Sequence, residues 1–190
     1  MVGLLGGSFD PVHHGHLLVA QAVLERLGLE AVRFVPAREQ PFKRGRHGAT
    51  AEQRAAMVAL AIADEPRFAL ERAELDRPAP SYTVDTLRAL KAREPGLELV
   101  LLVGADAAGE LSSWREAAEI PRLARVAAFA RPGAPAPEGP GIWRTVAVPA
   151  IDISATEVRE RVRAGKPIRW LVPDAVARYV AAEGLYLDGV

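Results

Sequence analysis

An α/β fold built on an open parallel sheet is the class that the sequence predicts, and three observations predict it. Val2-Gly3-Leu4-Leu5 is a short apolar run that stops at Gly6-Gly7. Leu17, Ala20, Leu24 and Leu27 then recur at helical spacing, and Ala31 to Val35 is a second apolar run closed by Pro36. Strand, turn, helix and strand in this order open a parallel α/β unit. The 190 residues suit one compact domain with a real core.

The remaining elements follow in order. Gly28 sits where a helix C-cap belongs, after Leu27. Thr50-Ala51-Glu52-Gln53 has the form of a capping box and opens an alanine-rich helix reaching about Ala63. Phe68 to Leu75 reads as a weaker strand. Thr83 starts a helix with Val84, Leu87 and Leu90 on one side. Leu99 to Val103 is five apolar residues in a row, the pattern of a central strand buried on both faces. Trp114 to Leu123 reads as helical, interrupted by Pro121. Val126 to Ala130 and Thr145 to Val148 are further strands, separated by a Pro- and Gly-rich loop from Pro132 to Gly141. Ser154-Ala155-Thr156-Glu157 is a second capping box, opening a helix that carries Val158 and Val162 and ends before Gly165. A last helix runs from about Pro173 to Glu183.

Composition narrows the function. Lysine plus arginine and aspartate plus glutamate both total 24, so the formal net charge is zero. That excludes a globally basic nucleic-acid binder, though not a local basic site. The absence of cysteine excludes disulfides, thiolate metal sites and cysteine nucleophiles. No run approaches the roughly 18 apolar residues of a membrane span. The apolar N-terminus lacks a basic segment and breaks at Gly6-Gly7, unlike a signal peptide. A cytoplasmic protein without membrane partners is expected.

Gly6-Gly7-Ser8-Phe9-Asp10-Pro11-Val12-His13-His14-Gly15-His16 is the most informative stretch. It leaves a strand and enters a helix, the place where open α/β sheets bind ligands. The glycines admit backbone amides close to a ligand. His13 and His16 flank Gly15 at a helix start, whose free N–H groups favour an anion. Standard phosphate motifs do not account for it. Gly165-Lys166 has Glu160 where a P-loop needs glycine, and no G-x-G-x-x-G follows the first strand. His14, His16 and Asp10 could bind a metal, and the histidines could simply cap and pack the helix. Neither a thiolate nor an H-E-x-x-H helix supports a metal here, and no G-x-S-x-G elbow supports a hydrolase.

Together with Ile153-Ser154-Ala155-Thr156-Glu157-Val158-Arg159, this stretch resembles the two signatures of the H-x-G-H nucleotidyltransferase superfamily. Ala155 replaces a serine or threonine of the I-S-S-T-x-x-R pattern. The second motif is also sensible physically. Ser154 at an N-cap offers a hydroxyl and free amides, and Arg159 lies one turn further on. An ordinary capped helix with a surface arginine would look the same in isolation.

Pro80-Ser81-Tyr82-Thr83-Val84-Asp85-Thr86-Leu87 resembles the P-S-Y-T-x-x-T-L signature of bacterial nicotinate mononucleotide adenylyltransferases. Gly104-Ala105-Asp106, Trp114 and the ending Gly184-Leu185-Tyr186 resemble the same family, so the likeness spans nearly the whole chain. It implies a Rossmann-like open parallel sheet with helices on both faces and a small C-terminal helical part, in a single domain spanning residues 1–190. It implies transfer of the adenylyl group of ATP to nicotinate mononucleotide, giving deamido-NAD and pyrophosphate.

The resemblance also implies roles. His13, His16, Lys43 and Arg159 would be catalytic. Gly6, Gly7, Ser8, Phe9, Gly104, Asp106, Ser154 and Thr156 would bind ATP. Tyr82, Thr83, Trp114 and Arg131 would bind the mononucleotide, with Trp114 stacked on the ring and the first amides of the Thr83 helix donating to its carboxylate. Lys43 lies in a basic loop with Arg38, Arg44 and Arg46, where the family's P-P-H-K is Gln40-Pro41-Phe42-Lys43. Mg²⁺ would be held mainly by ATP phosphates and water, with no protein metal site. A homo-oligomer is left open.

Three other readings remain open on the residues. An adenylyltransferase for another phosphate monoester is opposed by Trp114 and the P-S-Y-T segment. A non-catalytic nucleotide sensor is opposed by His13, His16 and Arg159. An RNA-binding relative of the synthetases is opposed by zero net charge.

Overall fold

The computed structural model describes residues 1–39, 48–130, 141–149 and 151–187. Among these, six strands form one parallel sheet. They are β1 (Val2–Gly7), β2 (Ala31–Pro36), β3 (Phe68–Leu70), β4 (Leu99–Gly104), β5 (Arg125–Ala130) and β6 (Ile142–Ala147). The spatial order is β3-β2-β1-β4-β5-β6, with every pairing parallel. Seven helices join them: α1 (His14–Arg26), α2 (Ala51–Ile62), α3 (Thr83–Arg93), α4 (Ala105–Gly109), α5 (Ile120–Leu123), α6 (Ala155–Arg163) and α7 (Asp174–Ala182).

The period-2 alternation of each strand divides the interior into two cores. On one face, Leu5, Val32, Phe34, Val100, Leu102 and Ala127 pack with α1, α2, α6 and α7 through residues such as Val23, Met57, Val158 and Val176. On the other, Leu4, Val35, Leu99, Leu101, Val103 and Val126 pack with α3 and α5 through Val84, Leu87, Leu90 and Ile120. The two C-terminal helices are therefore part of the first core. Helices on both faces explain why β4 is apolar along its whole length.

Several boundaries differ from the sequence reading. β3 stops at Leu70 instead of running to Leu75. The Glu71 amide still bonds Phe34, but the Glu71 carboxylate turns back to accept from the Ala73 amide at 3.0 Å, which closes the strand into a turn. The expected helix from Trp114 to Leu123 is broken in two. Trp114 ends a 3-10 turn, Glu116 takes φ +51°, and Pro121 sits in the first turn of α5. Proline there starts a helix and does not interrupt one. α1 begins at His14, inside the segment read as turn. β6 begins at Ile142, three residues before the expected strand. The Thr50–Gln53 capping box forms in both directions. Gly28 and Gly165 take the positive φ expected after a helix end, +61° and +63°.

An ion-pair cluster fastens α3 to the sheet. Arg33 of β2 grips Glu94 with two bonds of 2.7 Å, and Arg93 pairs with the buried Glu71 carboxylate. The two arginines hold the Glu94 carboxyl down at about 2, chiefly through the Arg33 hydrogen bonds.

At the sheet centre, a Cβ on Gly3 would lie 2.8 Å from Leu29 Cδ1 and 2.9 Å from Leu102 Cδ1. Gly3→Val is expected to destabilise the protein by about 1–3 kcal/mol through overpacking. The check is a lower urea midpoint with an unchanged m-value; an unchanged midpoint would mean that the two leucines yield freely.

Candidate active site

A cleft of about 1050 Å³ opens at the carboxyl ends of β1, β4 and β5. β1 and β4 are sheet neighbours, and the helices that follow them, α1 and α4, pack into opposite cores. That divergence is the topological switch point of an open α/β sheet, where ligands bind. The cleft brings together residues that are distant in sequence. Gly6, Gly7, Ser8, Phe9, His13 and His16 come from the first turn, Gly104 and Asp106 from the end of β4, and Ser154, Thr156 and Arg159 from α6. Phe129, Val148, Ile151 and Ile153 make its apolar side.

The first turn is organised around glycine. Nothing lies within 4 Å of where a Gly6 Cβ would be, so this backbone faces open space. A Cβ on Gly7 would meet the Phe9 ring at 3.0 Å. Phe9 itself is 2 % exposed and contacts His16 edge-on, with ring centroids 5.0 Å apart. Its ring is the floor of the turn more than a surface for a ligand. A Cβ on Gly15 would meet the His13 ring at 3.0 Å, which explains the glycine between the two histidines.

His13 and His16 stack with centroids 3.7 Å apart. The His13 backbone N–H donates to His16 Nδ1 at 3.2 Å. In a neutral ring an accepting Nδ1 places the proton on Nε2, so His16 presents one N–H donor. Burial pushes His13 down to about 4, with a smaller effect from His14. Burial and then His13 push His16 down to about 3. Both rings are neutral donors near pH 7 in the free protein.

α6 supplies the opposite wall. Ser154 is its N-cap, and Ser154 Oγ accepts from the Glu157 amide at 3.1 Å. Arg159, one turn on, donates to Thr156 Oγ1 at 3.2 Å and to the carbonyl oxygen of Asp10 at 2.7 Å. Two of its five N–H groups are thereby used, one within α6 and one across the cleft to the first turn.

Two buried charges that the sequence reading did not assign hold the first turn in place. The Asp10 carboxylate accepts from the Gly48 amide at 2.8 Å, the Ala49 amide at 3.1 Å and the Tyr186 hydroxyl at 2.9 Å. Asp10 is therefore a brace, not the metal ligand weighed from sequence. Among the described residues no group of three His, Asp or Glu side chains could hold a metal ion. Arg54 of α2 is 1 % exposed and donates to the carbonyls of Ser8 at 2.6 Å, Ala37 at 2.7 Å and Arg38 at 3.0 Å. An arginine within the apolar face that carries Met57 and Val58 was the available signal.

The residues expected at the acceptor are partly brought together. Tyr82 and Trp114 both pack, partly buried, on the second core. Arg115 lies over the Tyr82 ring, 4.7 Å from its centroid. Tyr82 is the N-cap of α3 and gives no side-chain cap to the amides of the first turn, which begins at Thr83. Tyr82, Thr83 and Trp114 do not line the large cleft. The P-S-Y-T segment is instead fastened to the end of β2: Ser81 Oγ accepts from the Arg38 amide at 3.1 Å, and the Ser81 amide donates to Glu39 at 3.0 Å. Beneath it, Thr86 Oγ1 donates to Glu74 at 2.9 Å and accepts from Arg77 at 2.6 Å. Lys43, Phe42, Arg44, Arg46 and Arg131 lie outside the described residues.

An all-parallel sheet, a cleft at its switch point and a second helix N-terminus facing the first make the architecture of a nucleotide-binding α/β domain. The family model described as cytidylyltransferase-like matches residues 4–161. A relative from Roseiflexus sp. (strain RS-1), named "Probable nicotinate-nucleotide adenylyltransferase", is 47% identical over 97% of this chain and 97% of its own length. One of the same name from Thermus thermophilus is 46% identical over 97% and 98%. The chain belongs to the cytidylyltransferase-like family and, within it, to the nicotinate-nucleotide adenylyltransferases. The fold is also that of the Plasmodium falciparum nicotinic acid mononucleotide adenylyltransferase complexed with NaAD, with a TM-score of 0.79 at 18% identity over 97% of this chain and 96% of that one.

The histidine environment has a pH signature. An unfolded histidine titrates near 6.5. Below that pH the unfolded state takes up protons that folded His13 and His16 refuse until about 4 and about 3. Stability therefore falls as pH drops through that window. Imidazole ¹⁵N resonances of the free protein are expected to stay in the neutral form down to pH 5 at both residues; midpoints near 6.5 would refute the burial assigned to them.

Proposed function

We propose that this chain transfers the adenylyl group of ATP to nicotinate mononucleotide, releasing pyrophosphate and forming deamido-NAD, as one domain acting in the cytoplasm. The observation that carries the reading is the convergence of His13, His16, Ser154, Thr156 and Arg159 on one cleft, in a chain nearly half identical to relatives named for this activity.

The chemistry needs positioning more than bases. A phosphate oxygen of the mononucleotide is already anionic near pH 7 and attacks the α-phosphorus in line. The new P–O bond forms as the bond to the β-phosphate breaks, and the electron pair leaves on pyrophosphate. Catalysis then comes from orientation and from donors placed where charge develops. The neutral His13 and His16 rings donate to the α-phosphate. Gly6, Gly7 and Ser8 let backbone approach the nucleotide, over the floor that Phe9 provides. Ser154, Thr156 and Arg159 hold the β- and γ-phosphates at the start of α6, where the helix dipole also favours negative charge. Asp106, at the mouth of the cleft beside Gly104, accepts from the adenosine ribose. Lys43 assists at the phosphates.

Mg²⁺ would come with ATP as part of the substrate, held by the nucleotide and water and not by a protein carboxylate, and would supply charge neutralisation at the phosphates. The chain's donor set suits this division, since the buried carboxylate of the first turn, Asp10, is occupied by three donors. For the acceptor, Trp114 stacks on the nicotinate ring, Tyr82 and the uncapped amides at Thr83 receive the carboxylate, and Arg131 contributes to mononucleotide binding. A carboxylate gains more from helix amides than a neutral carboxamide does.

Pyrophosphate release with ATP, Mg²⁺ and a panel of mononucleotides tests the reading. Nicotinate mononucleotide is expected to give the highest kcat/KM, and equal values for the nicotinamide form would refute the assigned carboxylate site. His16→Ala is expected to lower kcat by about 10²–10³ with the fold retained. Near wild-type turnover in that variant would remove His16 from the mechanism.

A further inference from the structure

We infer that Tyr186 is a positioning residue for adenylyl transfer, acting through Asp10 on Arg159. The inference rests on the proposed role of Arg159 as a phosphate ligand.

Tyr186 lies beyond α7, 176 positions after Asp10, and does not line the cleft. Its hydroxyl nevertheless reaches the base of the first turn and donates to Asp10 Oδ1 at 2.9 Å. The Ala49 amide shares that oxygen, and the Gly48 amide takes Oδ2 at 2.8 Å. The Asp10 carboxylate, 3 % exposed, is thus held from three directions. The carbonyl of the same residue receives Arg159 Nη1 at 2.7 Å. Fixing the side chain of Asp10 therefore fixes the peptide oxygen that aims the guanidinium.

Sterics link the same residues. A Cβ on Gly48 would lie 2.7 Å from Tyr186 Cδ1 and 3.3 Å from Arg159 Cδ. The aromatic ring and the stem of Arg159 both occupy the space that a side chain at Gly48 would need. Tyr186 also adopts φ +64°, a left-handed conformation that costs a side chain about 1–2 kcal/mol. The buried ring and the hydroxyl bond offset that cost. Packing alone would be met by phenylalanine, and a buried hydroxyl is disfavoured unless bonded, so the hydroxyl is the informative group. Burial and the neighbouring Asp10 charge push the phenol well above its ordinary range, so it remains a donor at every working pH.

The test uses the full chain, with ATP varied at saturating nicotinate mononucleotide and folding at assay temperature verified by circular dichroism. Tyr186→Phe keeps the ring and is expected to lower kcat/KM for ATP on the order of tenfold, the worth of a hydrogen bond to a charged group only partly transmitted. KM for the mononucleotide should stay within about twofold, because its site shares no part of this chain of contacts. Arg159→Ala alone is expected to lose about 10²–10³. The double variant should be no slower than Arg159→Ala, because Tyr186 acts only through that side chain. A structural role would make the two losses multiply, and multiplied losses or wild-type kinetics for Tyr186→Phe would overturn the inference. Should Tyr186→Phe be unfolded at the assay temperature, the same cycle is run at the highest temperature at which its circular dichroism is that of the wild type, with the same outcomes decisive. Wild-type rates for Arg159→Ala would instead refute the phosphate-site reading itself.

Discussion

Asp10 and Arg54 are charged side chains buried where charge is expensive, and main chain does much of the work of solvating each. Asp10 takes two backbone N–H groups and a phenol; Arg54 gives to three backbone carbonyls. Burying an ion costs several kcal/mol unless its hydrogen bonds are made, and removing one member of such a set leaves the rest unpaired. The result is specificity of backbone course. Ser8, Asp10, residues 37–38 and residues 48–49 are held in one arrangement, and that arrangement is what puts Gly6, Gly7 and the two imidazoles at the end of β1. Hydrophobic packing would stabilise the helices but would not choose among courses for a turn that lacks a ladder of its own.

The cleft depends on this brace because its components arrive from far apart. The first turn follows β1, Asp106 follows β4, and the second wall opens α6 near the other end of the chain. Parallel topology brings the carboxyl ends of these strands to one edge, and the apolar faces of α1, α6 and α7 share one core. A chain with zero net charge can then expose a locally positive edge without being a general polyanion binder. The positive character comes from two helix starts, one arginine and neutral N–H donors, so little of it registers in a charge count.

Much of this was legible in the sequence because it rests on short-range rules. Short apolar runs marked four of the six strands closely, and the Thr50 and Ser154 caps marked their helices. The glycines and histidines of the first turn marked the cleft. What was not legible rests on contacts between remote segments. β3 ends early because the Glu71 carboxylate folds back on the next turn. Pro121 reads as a breaker until the break is seen to lie earlier, where Trp114 closes one 3-10 turn and Glu116, in a left-handed conformation, opens the next. Asp10 reads as a free carboxylate beside histidines until Gly48, Ala49 and Tyr186 are brought to it. Phe9 reads as part of the first turn's glycine-rich run, and its place beneath Gly7 and against His16, at the bottom of the cleft, is set by contacts that the run does not show. In each case the residue type was informative and the partner was not in the same stretch of chain.

The neutrality of the two histidines shapes how the cleft handles charge. Their rings are stacked at 3.7 Å, and two positive charges at that spacing would repel by about 4 kcal/mol even with substantial screening. Burial disfavours the first proton for the same reason that it disfavours any isolated ion. Without nucleotide, the cleft therefore carries one permanent positive side chain among the described residues that line it, Arg159, and the imidazoles contribute direction but no charge. This suits the proposed reaction. The α-phosphate carries similar charge before and after transfer, so its oxygens need orientation. The pyrophosphate gains charge as its bond to the α-phosphorus breaks, so the fixed cation and the helix dipole belong at the other end. Arg159, one turn into α6, is the side chain proposed for that end, and it is tied back to the Asp10 carbonyl before any substrate arrives. A guanidinium already aimed needs no reorganisation as the leaving group forms, which is the condition under which a single charged donor is most effective.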